Sequence, residues 1–588
     1  MLTDSAAPTL DHAPEGRGGP VAPPGRWSRS AGEFALVALY GVVLTLVLLY
    51  PISLHPATLG RSDSGDGRFG IWNVSWVART LAVDPAHLFD ANIFYPHHRT
   101  LAYSESNLGA GVLAMPGYWL TRSPFVAYTS AMLLLFVLAV IASYYLVRQV
   151  TGSRGAAAVA AVCFPFCPYV LSMTAEIQLL TTFGLPLSLL AFHRLADRPG
   201  VGRGLVLGIA LAMTALCSGY YGIFAGLMVG WSALVLAVMR PLWRSPRYWT
   251  ALAVGVATSA LIVLPFFLPY VPLARLAAGG DYRPLSEAVL WSANWQAYLT
   301  SGADAHRWLL SLVSGWKAVL FPGFLTLVLA LTGLSLAGTR APSAAVTPGT
   351  AGHAPRRTET MTLYGSIAVL AAWLSFGPHA GLYLWLDRLL PSLFGMVHAP
   401  SRFGLVVTLA LVVLAGLGVA ALQARVRRPR LLAGGLCVAA ALELAAVPLP
   451  AAPNPVIPDV YHSVKGLPPG PVLELPIYWR HDAWFQNTIY MLYSTAHWKP
   501  LVGGYSDYTP PDYVTMPETL SEFPTPASFA ILHRLGVHYV VFHPGRYYDD
   551  TSRRVLREKL AQYRAYLRPD LVTNDAWLYE VVAWPPEP

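Results

Sequence analysis

Arg61-Ser-Asp-Ser-Gly-Asp-Gly-Arg-Phe-Gly70 follows closely on a long apolar run, Ala31–Leu54, and opens a long polar loop. About twenty consecutive apolar residues suffice to cross a hydrocarbon core of about 30 Å. A continuous run of that kind must be a helix, because backbone N–H and C=O groups in hydrocarbon have to satisfy one another. Asp63 and Asp66 then stand at the lip of a membrane, where a lipid-linked molecule presents its head group.

The whole chain agrees with that reading. Of 588 residues, 55% are hydrophobic and only 12% charged, far from the balance of a water-soluble protein. The fold class expected is mainly α: a polytopic helical membrane protein with about eleven transmembrane helices and a small C-terminal α/β domain. Residues 1–30 are rich in Pro and Gly and lack an apolar core, and they read as a disordered cytoplasmic tail. The first span is too long for a signal-peptide core and is expected to remain as an anchor. Cys163, Cys167, Cys217 and Cys437 all fall in apolar runs and read as buried packing residues, despite the Cys-x-x-x-Cys spacing of the first two.

Spans are expected near 31–54, 125–147, 155–172, 177–193, 204–219, 221–239, 249–271, 317–338, 361–377, 403–424 and 431–449. With a cytoplasmic N-terminus, the inner connections are Arg148–Arg154, Arg194–Arg203, Arg240–Arg247, Arg340–Arg357 and Arg425–Arg430. Each is basic, whereas the outer turns Ser172–Glu176 and Ser218–Tyr221 contain no Lys or Arg, as the positive-inside rule requires of short loops. Leu108–Leu120 is short and holds Gly109, Gly111, Pro116 and Gly117. Counting it as a span would invert every later loop, so it reads as an interfacial or re-entrant helix. The net charge of +9 fits anchoring beside anionic lipid and is no sign of nucleic-acid binding.

Three large elements then share the outer side: loop 55–124, loop 272–316 and residues 450–588. The domains expected are the tail 1–30, a transmembrane domain 31–449 and an extracytoplasmic α/β domain 450–588. In the last, Val472–Pro476, Val537–Phe542 and Ala576–Val582 read as strands, and Thr551–Tyr566 as a helix.

Asp66 and Asp63 are candidate general bases: a carboxylate just outside a span can take a proton from an acceptor hydroxyl, and partial burial raises its basicity. The alternative is an Asx-turn and helix cap ahead of Phe69. An acid directly after the first span, interfacial helices in the first loop, about eleven spans and an outer C-terminal domain together resemble the integral-membrane glycosyltransferases of the GT-C fold. In that superfamily an Asp-Glu pair followed by an aromatic commonly marks this loop. Asp66-Gly-Arg-Phe69 matches the Asp and the aromatic, but Gly67 stands where the second acid belongs. A closer similarity is to bacterial multi-span proteins related to that superfamily. It rests on Asn92-Ile-Phe-Tyr-Pro-His97, Leu101-Ala-Tyr-Ser-Glu105, Ala399-Pro-Ser-Arg-Phe403, His497-Trp-Lys-Pro-Leu501, Gly504-Tyr-Ser506 and Leu535-Gly-Val-His-Tyr-Val-Val541.

The resemblance implies sugar transfer from a polyprenyl-phosphate donor to a glycan, lipid or protein acceptor, on the outer face of a bacterial cytoplasmic membrane. Glu176, at the membrane edge, is expected to orient an acceptor or to hold a divalent ion (Mg or Mn) with Asp66, unless it merely favours a helix N-terminus. Gln178 shares its turn. Arg402 suits the departing phosphate because its donors form a planar fork, although ordinary lipid phosphates would attract it equally. His398 is its companion. Glu105 is a sugar contact or a helix cap, and Tyr220 and Tyr221 line the cavity or the membrane interface. His97 and His98 read as packing, since adjacent histidines make poor metal geometry. Trp484, Tyr490, Tyr493, Trp498, Tyr505, Asp507 and Tyr508 form an aromatic-rich stretch that either stacks on carbohydrate or docks on the membrane part. The rival function is a non-catalytic scaffold or a transporter of lipid-linked envelope glycans. Transport is disfavoured because the spans carry almost no charge, Glu443 being an isolated case.

Overall fold

The computed structural model describes residues 26–273, 285–336, 357–547 and 549–586. Tail residues 1–25, residues 274–284 of the second outer loop and most of the Arg340–Arg357 connection lie outside them. Among the described residues, seven helices are long and apolar enough to cross a membrane: Ala31–Leu48, Pro124–Thr151, Arg154–Ser172, Ile177–Asp197, Gly219–Met239, Pro246–Leu273 and Pro400–Gln423. Four more, Val201–Cys217, Phe324–Leu336, Arg357–Ser375 and Pro429–Leu444, occupy the remaining expected spans. The first helix begins at Arg26, ahead of the expected start at Ala31. Cys163, Cys167 and Cys217 are buried and Cys437 is partly so; all four are free thiols.

The basic connections gather at one end of the bundle. Arg148 and Arg154 both pair with Glu33, at 3.5 and 2.7 Å. Gln149 donates to Asp197 at 2.9 Å, and Arg240 bridges Asp197 and Glu359 at 2.7 and 2.8 Å. Ser153 reaches Gln423 at 2.6 Å. The opposite ends of several of these helices meet one another too: the Tyr128 hydroxyl donates to the Thr174 carbonyl at 2.9 Å, and Arg402 lies 3.5 Å from Glu176. A helix of about twenty residues is about 30 Å long, so these two sets of contacts mark opposite ends of the bundle.

Glu443 is not isolated. Its carboxylate accepts the backbone N–H groups of Phe324 and Leu325, which begin the Phe324–Leu336 helix, and pairs with His306 at 3.1 Å. Helix N-termini leave such donors unsatisfied and favour a negative charge.

Loop 55–124 contributes two helices, Gly65–Val83 and Leu108–Thr121, the latter with Pro116 inside it. The C-terminal part builds a four-stranded sheet in the order Val472–Leu475, Tyr539–Phe542, Trp577–Val581, Leu567–Val572. The first pair is parallel, with Val472 opposite Tyr539, and the others are antiparallel. A parallel pair needs a long crossover, here made through Thr488–Ser494 and Pro526–Leu535. The expected helix is present as Asp550–Gln562; the strand Leu567–Val572 directly after it is an addition to the expected set. Its exposed residues and a bulge near Pro569 hide the alternation that marks a strand.

The first loop and the C-terminal part are sewn together. Leu59 and Gly60 pair with Pro453 and Ala452. Phe94 and Tyr95 donate their N–H groups to the carbonyls of Gly503 and Leu501, at 3.2 and 2.9 Å. The Asn92 amide accepts from Trp72 and donates to Ser494 and the Lys499 carbonyl. Two of the separated motifs of the sequence, Asn92–His97 and His497–Leu501, therefore meet along one seam.

Candidate functional site

The site collects at the end of the bundle opposite the basic contacts, where several helix beginnings converge. Asp66 lies in the first turn of Gly65–Val83, which starts when the Ser64 hydroxyl accepts the Gly67 N–H at 3.0 Å. Glu176 stands at the turn before Ile177–Asp197, and Arg402 in the Pro400–Phe403 turn that leads into Gly404–Gln423. Tyr220 is in the first turn of Gly219–Met239.

These groups are brought together. Arg402 pairs with Glu176 at 3.5 Å, and its guanidinium carbon lies 4.4 Å from the centre of the Tyr220 ring. The Tyr220 hydroxyl hydrogen-bonds the His398 imidazole, whose Nε2 is 3.9 Å from Glu287. Tyr505, from the C-terminal part, donates its hydroxyl to Asp66 at 3.4 Å and sets its ring against Phe69. Asp507, two residues on, accepts from Ser104 at 3.0 Å.

Asp66 is exposed at its surface while protein crowds around its carboxyl. Burial raises its carboxyl above the usual range; the Tyr505 hydroxyl opposes the rise, the charge of Asp507 adds to it and Arg402 opposes it. Glu176 is also raised by burial, with Arg402 opposing and Asp66 and Asp507 adding. Glu105 is pushed up to about 7, first by burial, against the pull of Arg402 and with the push of Asp507. Its Oε1 accepts the Gly219 N–H at 3.1 Å and the Ser218 hydroxyl at 3.3 Å, while its Oε2 is buried without a hydrogen-bond partner. Four carboxylates and one guanidinium thus share a single electrostatic neighbourhood.

Other expected site residues stand apart. Asp63 turns to Arg61 at 3.3 Å, and Arg61 in turn holds the Thr174 hydroxyl at 2.6 Å. Tyr221 is fully buried and donates to the Leu179 carbonyl at 2.7 Å, a packing position. The Gln178 carbonyl accepts the Thr181 hydroxyl, and among the described residues no hydrogen bond joins its side chain to the cluster. His97 pairs with Asp512 at 2.9 Å and His98 with Asp90 at 3.6 Å.

The aromatic-rich stretch docks on the first loop. Trp498 packs on Trp76 and Arg79, Tyr505 on Phe69, and Tyr508 on Tyr103. Asp507 was visible in the sequence as a member of that stretch, but nothing local linked it to Asp66. Gly67 has a steric explanation: a Cβ there would lie 1.6 Å from the Arg61 carbonyl oxygen.

No family model and no curated protein matches the chain. Solved structures do. The cryo-EM structure of arabinofuranosyltransferase AftD from Mycobacteria is similar with a TM-score of 0.55 at 13% identity, over 94% of this chain and 40% of that one. The chain thus spans 40% of the length of that structure. Weaker likenesses are to the oligosaccharyltransferase AglB of Archaeoglobus fulgidus (TM-score 0.45, 14% identity, 92% of this chain and 73% of that one) and to ArnT of Cupriavidus metallidurans (TM-score 0.37, 16% identity, 96% and 100%). At scores below 0.5 these two carry no argument. The AftD likeness concerns the fold alone.

Proposed function

We propose that the protein transfers a sugar from a polyprenyl-phosphate donor to a cell-envelope acceptor, a glycan, lipid or protein, at the outer face of a bacterial cytoplasmic membrane. The observation that carries the proposal is the placement of Arg402 beside Glu176, within electrostatic reach of Asp66, at the end of the bundle opposite the basic connections. The positive-inside rule assigns that end to the outer face.

In the proposed step the Asp66 carboxylate takes the proton of an acceptor hydroxyl. The oxygen forms the new bond to the anomeric carbon from the face opposite the phosphate. The bond from that carbon to the phosphate oxygen breaks, and polyprenyl phosphate leaves with the electron pair and its charge. A guanidinium has five N–H donors, so the ion pair to Glu176 does not exhaust its capacity for phosphate oxygens. Held in place by Glu176 and the Tyr220 face, Arg402 meets the developing charge without reorganising. The raised proton affinity of Asp66 suits a base, since a carboxylate at its ordinary value is a weak one.

A divalent ion fits this arrangement poorly. Among the described residues no three His, Cys, Asp or Glu side chains form a group able to hold a metal, and Glu176 faces a guanidinium.

Purified protein with labelled polyprenyl-phosphate sugars tests the proposal. Transfer should fall roughly a hundredfold in Arg402→Gln, the usual cost of losing one charge-stabilising donor, and be lost in Asp66→Asn. Undiminished transfer in the Asp63→Asn, Asp66→Asn double variant would remove the mechanism. Saturable donor binding without turnover across a donor panel would favour the non-catalytic scaffold.

A further inference from the structure

The GT-C pattern places a second acid beside the first, and here that position is Gly67. The Arg61 carbonyl fills the space that a side chain would need, so no acid can stand there without unmaking the start of the Gly65–Val83 helix. The loop Gly504–Tyr508 of the C-terminal part brings a carboxylate to the same neighbourhood. Its path is fixed from several sides: the Gly504 carbonyl accepts from Trp484 at 3.1 Å and Asn487 at 3.2 Å, and the Tyr508 N–H donates to the Tyr103 carbonyl at 3.0 Å. Between those anchors Tyr505 reaches Asp66 and Asp507 reaches Ser104, next to Glu105.

Resting on the transferase reading above, we infer that Asp507 is the second carboxylate of the transfer site, supplied by the C-terminal domain, and that together with Asp66 it receives the acceptor hydroxyl. The loop therefore joins the catalytic surface, and docking of the C-terminal domain completes the site. Two features favour a ligand between these groups. The Oε2 of Glu105 is buried there with no hydrogen-bond partner, as expected of an acceptor that meets a sugar hydroxyl. Asp507 is exposed, so its carboxylate is open to an entering molecule. With Asp507 charged beside it, Asp66 holds its proton more tightly and acts as a stronger base.

The titratable and charged groups facing Asp66 are Tyr505 and Asp507 from the C-terminal part, Arg402, Glu176 and, from Pro124–Thr151, Tyr128. A measurement that does not need turnover is the pH dependence of carbodiimide labelling at Asp66, read by mass spectrometry on the purified full-length protein. Carbodiimides attack the protonated carboxyl, so the midpoint follows the proton on Asp66. Asp507→Asn should move that midpoint to lower pH, the direction expected on removing a neighbouring like charge, and Asp507→Glu should restore it. In the transfer assay Asp507→Asn should raise KM for the acceptor with little change in KM for the donor.

An unmoved midpoint in an Asp507→Asn protein whose melting temperature matches the parent would overturn the inference. So would an unchanged acceptor KM in a protein whose Asp66→Asn variant is inactive, and there the transferase reading would survive. Absence of transfer by the parent protein across the donor panel would instead defeat the transferase reading, while a shifted midpoint would still place Asp507 against Asp66.

Discussion

Gly67 shows how one missing atom constrains a site. Because its Cβ would fall 1.6 Å from a backbone oxygen, which cannot swing aside as a side chain can, Gly67→Ala should destabilise the protein by about 2–4 kcal/mol. Gly65→Ala, whose Cβ would meet Phe485 at 3.0 Å, should cost clearly less. Melting temperatures in detergent compare the two. Glu105 gives a second prediction. Its carboxyl rises from an ordinary 4.5 to about 7 in the fold, so over that interval the folded protein binds more protons than the unfolded chain. The stability contributed by the neutral acid is complete below the unfolded value and is lost as pH rises through about 7. Glu105→Gln, which keeps an acceptor for Ser218 and Gly219, should flatten the dependence of melting temperature on pH over this range. It should gain most relative to the parent above pH 7.

Among the elements, Phe324–Leu336 depends on a cap that lies far away in sequence. Glu443 meets its first N–H groups and His306, a charged hydrogen-bonding position at a helix start. Glu443→Ala should cost roughly 1–3 kcal/mol, the range for losing a charge-assisted helix cap. Glu443→Gln, which retains an acceptor, should recover part of the loss in the same thermal assay. The acid of the last span is thus a structural device, the cap of a neighbouring helix. The Gly65–Val83 helix shows the converse relation: capped within itself by Ser64, it presents Asp66 whatever packs on it, and the C-terminal part supplies its partners.

For the whole molecule, the two ends of the bundle predict opposite exposure. Gly200 lies in a basic connection and Gly545 in the C-terminal part, and neither has an atom within 4 Å of the Cβ a cysteine would bring. In cells whose cytoplasmic membrane is intact and reachable, a membrane-impermeant maleimide should label Gly545→Cys directly and Gly200→Cys only after permeabilisation. The reverse result would invert the topology and move the Asp66 site to the cytoplasm. The architecture was largely legible beforehand, since helices occupy every expected span and the basic connections that the structure describes meet at one end. Less of the site could be read. Asp66, Glu176 and Arg402 stand in one neighbourhood, Asp63 and Tyr221 bond to other partners, and Asp507 had no local signature.

The sequence by itself determined that this is a helical membrane protein with its basic connections on one side, because apolar length and Arg placement act locally and each segment can be judged alone. Only the tertiary structure decided which acids share a site. Tyr505 and Asp66 are 439 positions apart, and their meeting depends on a sheet, a crossover and a seam of backbone hydrogen bonds along which small errors of register would separate them. Charge coupling fades over a few ångströms in a screened, partly solvated cleft, so the chemistry of Asp66 follows from that docking and could not be read from its neighbours in the chain.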